Sequence, residues 1–134
     1  MKLTNNEDYI EFLIDRYYAE VESEADNSYN LIVNAKSAFM NVKFYTYCFI
    51  QSFKRFYDKL LSAYKNLNGV VILDDLSYEN DVNLKIIFEN YGKISVECHI
   101  KSNDRYKNEC NLYFETDQTF IKEFLEEIKI EFEF

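Results

Sequence analysis

Between Val82 and Phe114 the chain alternates apolar and polar side chains in three successive runs, and this repetition constrains its fold more than any other feature. Val82, Leu84, Ile86 and Phe88 form the first apolar set, Ile94, Val96, Cys98 and Ile100 the second, and Cys110, Leu112 and Phe114 the third. A strand sends successive side chains to opposite faces, so runs in this phase describe an antiparallel meander with one oily face and one wet face. Such a layer needs an apolar cover.

The period changes at Cys48. Phe49, Phe53, Phe56, Tyr57, Leu60, Leu61 and Tyr64 follow the three-and-four spacing of one helical face, and Asn66 to Gly69 offers residues that end a helix. A second helix is predicted after Phe114, capped by Thr116 or Asp117, with Phe120, Ile121, Phe124, Leu125 and Ile128 on its buried side. Upstream, Tyr9 to Ile14, Tyr29 to Ala35 and Phe39 to Tyr47 read as strands; Val70 to Leu73 reads as another, and Asp74 to Asp81 as a polar loop. Two greasy helices and a one-sided sheet satisfy each other. The expected fold is α+β, a two-layer sandwich with a mostly antiparallel sheet of about six strands and both helices packed on one face. At 134 residues, one domain spanning 1–134 is expected.

There is no Pro and only two Gly, Gly69 and Gly92, so turns fall to Asn and Asp. Nearly half of the residues are hydrophobic (48%), which excludes a disordered chain. Met1 to Asn6 is polar and no apolar run reaches the ~18 residues of a membrane span, so the expected address is the cytoplasm, with no membrane partner. Three cysteines show no metal spacing. A last hairpin turning near Asp104 would set Cys98 opposite Cys110 on the buried side; reduced core thiols are expected there rather than a disulfide.

Charge is unevenly spread. Acidic residues outnumber basic ones 8 to 2 over residues 1–26 and 15 to 7 over 70–134, whereas 27–69 holds 1 acid against 6 bases, for a net −9. Direct binding of nucleic acid is disfavoured, because phosphate recognition draws on clustered Lys and Arg. A basic protein partner fits the acidic ends.

Reactive groups do not converge. The only histidine, His99, is on the polar phase of a strand, and Cys98 beside it points the other way, which rules out a Cys–His pair. Asp74, Asp75, Glu79 and Asp81 are the densest acid cluster, but their spacing lacks the central Gly and terminal Glu of a calcium loop. No catalytic residue, metal or cofactor is expected. Tyr45, Tyr47, Tyr106 and Tyr113 would supply rigid contact area if they lie on an open face.

From Phe53 onward the chain resembles the WapI-type family of small bacterial immunity proteins. The likeness is carried by the helix Ser52–Leu60 closed by Leu67-Asn68-Gly69, the hairpin Leu84-Lys85-Ile86 to Gly92-Lys93-Ile94-Ser95-Val96, and the run Leu112 to Phe120 with its Thr116-Asp117-Gln118 junction. The resemblance implies a non-enzymatic protein that binds the toxic domain of a cognate secreted toxin, often a nuclease, and blocks it. Contacts are then expected from Glu97, His99, Glu109 and Tyr113 on the open sheet face and from Asp74, Asp75, Glu79 and Asp81 in the acidic loop. The alternative is a small-ligand or regulatory domain with an aromatic pocket between sheet and helices; an enzyme ranks third. Oligomeric state is not encoded in any pattern of this kind.

Overall fold

The computed structural model describes residues 1–18, 27–76, 80–102 and 108–134, the side chains of Asp75 and Asn80 aside. Its elements run β1 (Lys2–Thr4), β2 (Tyr9–Tyr18), β3 (Ser28–Ser37), β4 (Met40–Phe49), α1 (Ile50–Asn66), β5 (Gly69–Leu76), β6 (Asn80–Phe88), β7 (Ile94–Ser102), β8 (Glu109–Thr116) and α2 (Gln118–Phe132). The α+β class holds. The expected single sheet of about six strands does not: two four-stranded antiparallel sheets form, in the orders β1-β2-β3-β4 and β5-β6-β7-β8. Alternation shows which side chains face the core but is silent about which strands are neighbours. Here α1, inserted between β4 and β5, divides one meander from the other.

The meander of residues 82–114 lies in the second sheet, with Leu84, Ile86, Val96 and Leu112 buried on its inner face. The inner face of the first sheet contributes Ile10, Phe12, Leu31, Val33 and Phe44, and all of these join the helix residues in one hydrophobic cluster. Phe12 is its pivot, edge-on to Phe53 of α1 at 5.7 Å and stacked on Phe124 of α2 at 6.5 Å. Aromatic pairs in these geometries contribute about 0.5–1.5 kcal/mol beyond their buried area. Both helices therefore cover apolar sheet surface, as the sequence requires.

Among the described residues, three bonds to backbone carbonyls, with a Cys110 Sγ contact to Met40 Sδ at 3.9 Å, cross the seam between the sheets. Ser37 Oγ donates to the Tyr113 carbonyl, Asn5 Nδ2 donates to the Glu115 carbonyl at 2.8 Å, and Thr116 Oγ1 donates to the Thr4 carbonyl at 2.7 Å.

Several expectations shift. The polar stretch Lys2–Thr4 forms a strand, held by pairing with Tyr9–Glu11 rather than by its own propensity. Phe49 belongs to the end of β4 and is 43% exposed, because the helix starts one residue later. Left-handed backbone falls on Ala38, Leu67, Tyr91 and Glu133 as well as Asn6, so the turns rely less on Asn and Asp than composition implies. Leu67, rather than a neighbouring Asn, caps α1 with its N–H on the Ala63 carbonyl. Residues 129–132 continue α2. Asp117 is the N-cap of α2, accepting from the backbone N–H of Thr119 and Phe120.

Candidate functional site

The outward face of the second sheet is built by the polar phase of its strands, and the register fixes who stands beside whom. One row crosses the sheet as Ile72, Lys85, Glu97 and Tyr113, the next as Asn83, His99 and Asn111, and a third as Asp81, Lys101 and Glu109. The second row, with Lys85, Glu97 and Tyr113 of the first, lines a concave trough of about 470 Å³.

Part of the trough is internally satisfied. Glu109 Oε1 lies 2.6 Å from His99 Nε2, a diagonal contact across β7 and β8. The Tyr113 hydroxyl donates to Glu115 Oε1 at 3.0 Å and lies 3.3 Å from Ser95 Oγ. Glu115 also meets Lys93 Nζ at 2.9 Å, and this hydrogen bond, followed by that of Tyr113, holds its carboxyl below the usual carboxylate range. Tyr113 is thus pinned at its polar end while its ring remains 48% exposed. Rigid aromatic area of this kind costs little entropy on binding.

The other part is unsatisfied. Among the described residues, Asn83, Lys85, Glu97 and Asn111 have no side-chain hydrogen bond or ion pair, so the trough offers donors and acceptors of both signs to an incoming surface. Beside it the β5 end of the same face is aliphatic, with Val70 57% and Ile72 40% exposed and Ile87 paired next to Val70. An apolar patch bordered by polar groups is the anatomy of a protein contact surface.

Glu97, His99, Glu109 and Tyr113 all stand on this face, as the alternation implies. The acidic loop changes character. Asp74 and Asp75 lie within β5, at an irregularity between Leu73 and Leu76, and Asp81 lies within β6; Glu79 is outside the described residues. Asp74 and Asp81 are exposed. Among the described residues no three His, Cys, Asp or Glu side chains converge on a metal-sized site. Asn83, Lys85 and Asn111 are the trough residues that sequence reasoning passed over. They share the polar phase of Glu97 and His99, so their signal was present, but nothing in a periodic pattern ranks one wet position above another.

The thiols are placed differently from the simple hairpin. Cys98 faces Leu112 and Cys110 faces Ile100, so the two cysteines are diagonal neighbours and both are free. Tyr45 is 45% exposed on the first sheet, and Tyr106 is outside the described residues. Among the described residues no helix is long and apolar enough to cross a membrane.

The outward face of the second sheet is thus a mixed polar and aliphatic surface. The chain belongs to the WapI-like immunity protein family, whose family model matches residues 2–133, nearly its whole length. The likeness thus extends through the N-terminal sheet, well beyond the helix, hairpin and Thr116-Asp117-Gln118 junction that carry it in the sequence. No curated protein and no solved structure matches the chain.

Proposed function

We propose that this chain is an immunity protein that neutralises the toxic domain of a cognate bacterial toxin by covering it, without chemistry of its own, and that the outward face of the second sheet is the surface it uses. The observation that carries this reading is the trough itself: Glu97, Lys85 and two carboxamides without side-chain partners among the described residues, next to an exposed aliphatic patch and a pinned Tyr113. Unpaired polar groups become binding energy only when a partner's groups meet them, and exposed Val70 and Ile72 gain by leaving water. The net charge of −9 suits a basic toxin surface such as a nucleic-acid cleft. Asp74 and Asp81 contribute to this acidic field at one end of the face, Asp75 and Glu79 add to the acidic total, and the protein acts in the cytoplasm of the toxin-producing cell.

The test is growth of cells expressing the toxin domain encoded beside this chain. Wild-type protein restores growth. Tyr113→Ala combined with Ile72→Asp abolishes protection while the thermal melt stays cooperative, and Ala at Asp74, Asp75, Glu79 and Asp81 weakens it. Full protection by the Tyr113/Ile72 variant would remove this face from the reading.

A further inference from the structure

The outward face of the first sheet is the molecule's other large open surface, and it has a symmetry the second lacks. Its rows are fixed by register: Glu11 with Asn34 and Lys43, Leu13 with Ile32 and Tyr45, Arg16 with Asn30 and Tyr47. Leu13 and Tyr45 are 41% and 45% exposed, and the face continues in exposed Tyr18 and Phe49 at the far ends of β2 and β4. Contiguous exposed apolar area of this kind marks an interface.

We infer that this face binds a second copy of the same chain. A two-fold axis lying between two such faces and running along β3 exchanges β2 with β4 and keeps each row level. These three rows then meet their own complements, while Lys36, in the row Tyr9–Lys36–Asn41, faces its own copy across the axis with its Nζ on the Glu7 carbonyl at 3.0 Å and 4.0 Å from Asp8 Oδ1. Glu11 of one copy lies over Lys43 of the other, Leu13 over Tyr45, and Arg16, whose guanidinium lies 6.0 Å from the ring of its own Tyr18, over the Tyr47 ring, each pair occurring twice. Acid meets base, aliphatic meets aromatic, and cation meets π-face, which is the self-complementarity an isologous dimer demands. Two sheets packed face to face stand about 10 Å apart with strands within about 30° of alignment, so side chains of these lengths interdigitate.

Electrostatics selects the same face. Two copies at −9 repel each other, and they meet at least cost where the acid excess is smallest; on this sheet β3 and β4 carry Lys36 and Lys43 and no acid, against Glu11, Asp15 and Arg16 on β2. Docking here leaves the trough of the second sheet on the outside of both copies.

The experiment is sedimentation velocity of the purified chain alone across a concentration series, with thermal melts as controls. Wild type shows a monomer–dimer equilibrium. Lys43→Glu sets Glu11 against an acid twice over, and Glu11→Lys sets Lys43 against a base; each weakens dimerisation about tenfold. The double variant, Glu11→Lys with Lys43→Glu, restores the opposite charges and recovers the dimer. Lys43 is exposed and Glu11 is half-buried beside Asn34 Nδ2 at 3.4 Å, so the thermal melts of both variants establish that the fold survives the changes. A monomer at every concentration overturns the inference, as does a dimer indifferent to both reversals, or a face that takes up only the toxin domain.

Discussion

At the scale of single residues, the clearest consequence of the fold is at Cys98. It is 4% exposed on the inner face of β7, and burial, reinforced by the neighbouring Cys110, pushes its thiol from the ordinary 9 up to about 12. The neutral form is the one the core accepts. A thiol whose pKa is raised on folding contributes its stability in full below the unfolded pKa and loses it as pH rises from about 9 towards 12. One such group accounts for up to about 1.4 kcal/mol per pH unit in that window. The stability advantage of the wild type over Cys98→Ala, measured by urea unfolding, should accordingly shrink by about 1 kcal/mol between roughly pH 9 and pH 10. An advantage independent of pH would mean that the thiol is not desolvated. In the folded protein at about pH 8 the same thiol should resist aromatic disulfide reagents until the chain is unfolded.

At the scale of elements, α2 shows how far local sequence can be trusted. Asp117 Oδ1 accepts from Thr119 N–H at 2.9 Å and from Phe120 N–H at 3.4 Å, supplying two of the helix's orphan donors with a partner. Asp117→Ala should cost about 1 kcal/mol, read as a lower melting temperature, and Asp117→Asn, which retains the acceptor oxygen, should recover most of it. That cap was legible because its cause lies within three residues. The same is true of the helix periodicity at Phe53, Phe56 and Leu60 and of the strand phase that puts Glu97, His99, Glu109 and Tyr113 on one face. What was not legible depends on partners distant in sequence. Lys2–Thr4 is a strand only because Tyr9–Glu11 pairs with it, and Asp74 and Asp75 are drawn into β5 by a pairing that resumes at Leu76 opposite Val82. Cys98 and Cys110 miss each other because the β7–β8 register places Leu112, rather than Cys110, opposite Cys98. The division into two sheets is of the same kind, since it turns on where α1 deposits β5. The trough was half legible for a related reason: phase gives membership of a face, but only the assembled sheet shows that Glu97 and Lys85 have no side-chain partners among the described residues while Glu115 and Glu109 have them.

For the whole molecule, the decisive quantity is the field produced by a net charge of −9 concentrated away from residues 27–69. The seam bonds at Ser37, Asn5 and Thr116 hold the two sheets in one arrangement, so the acidic surface is presented in a fixed geometry. A fixed field of one sign guides a basic partner during approach, and salt screens it over a Debye length of about 10 Å at 0.1 M. Contacts of the proposed kind, at Tyr113, Ile72 and the trough, would be short-ranged and partly desolvated, hence much less sensitive to ions. The two rate constants for association with the toxin domain should consequently respond differently to salt. Raising NaCl from about 0.05 to about 0.5 M should slow association about tenfold or more and alter dissociation less than about twofold. Adding Ala at Asp74, Asp75, Glu79 and Asp81 should reduce the association rate at low salt and flatten its salt dependence, whereas Tyr113→Ala should act on dissociation. Stopped-flow mixing and surface-bound dissociation measurements separate the two. Equal sensitivity of both rate constants to salt would show that the charges act in the docked complex, and steering would then lose its place in how this protein finds its toxin.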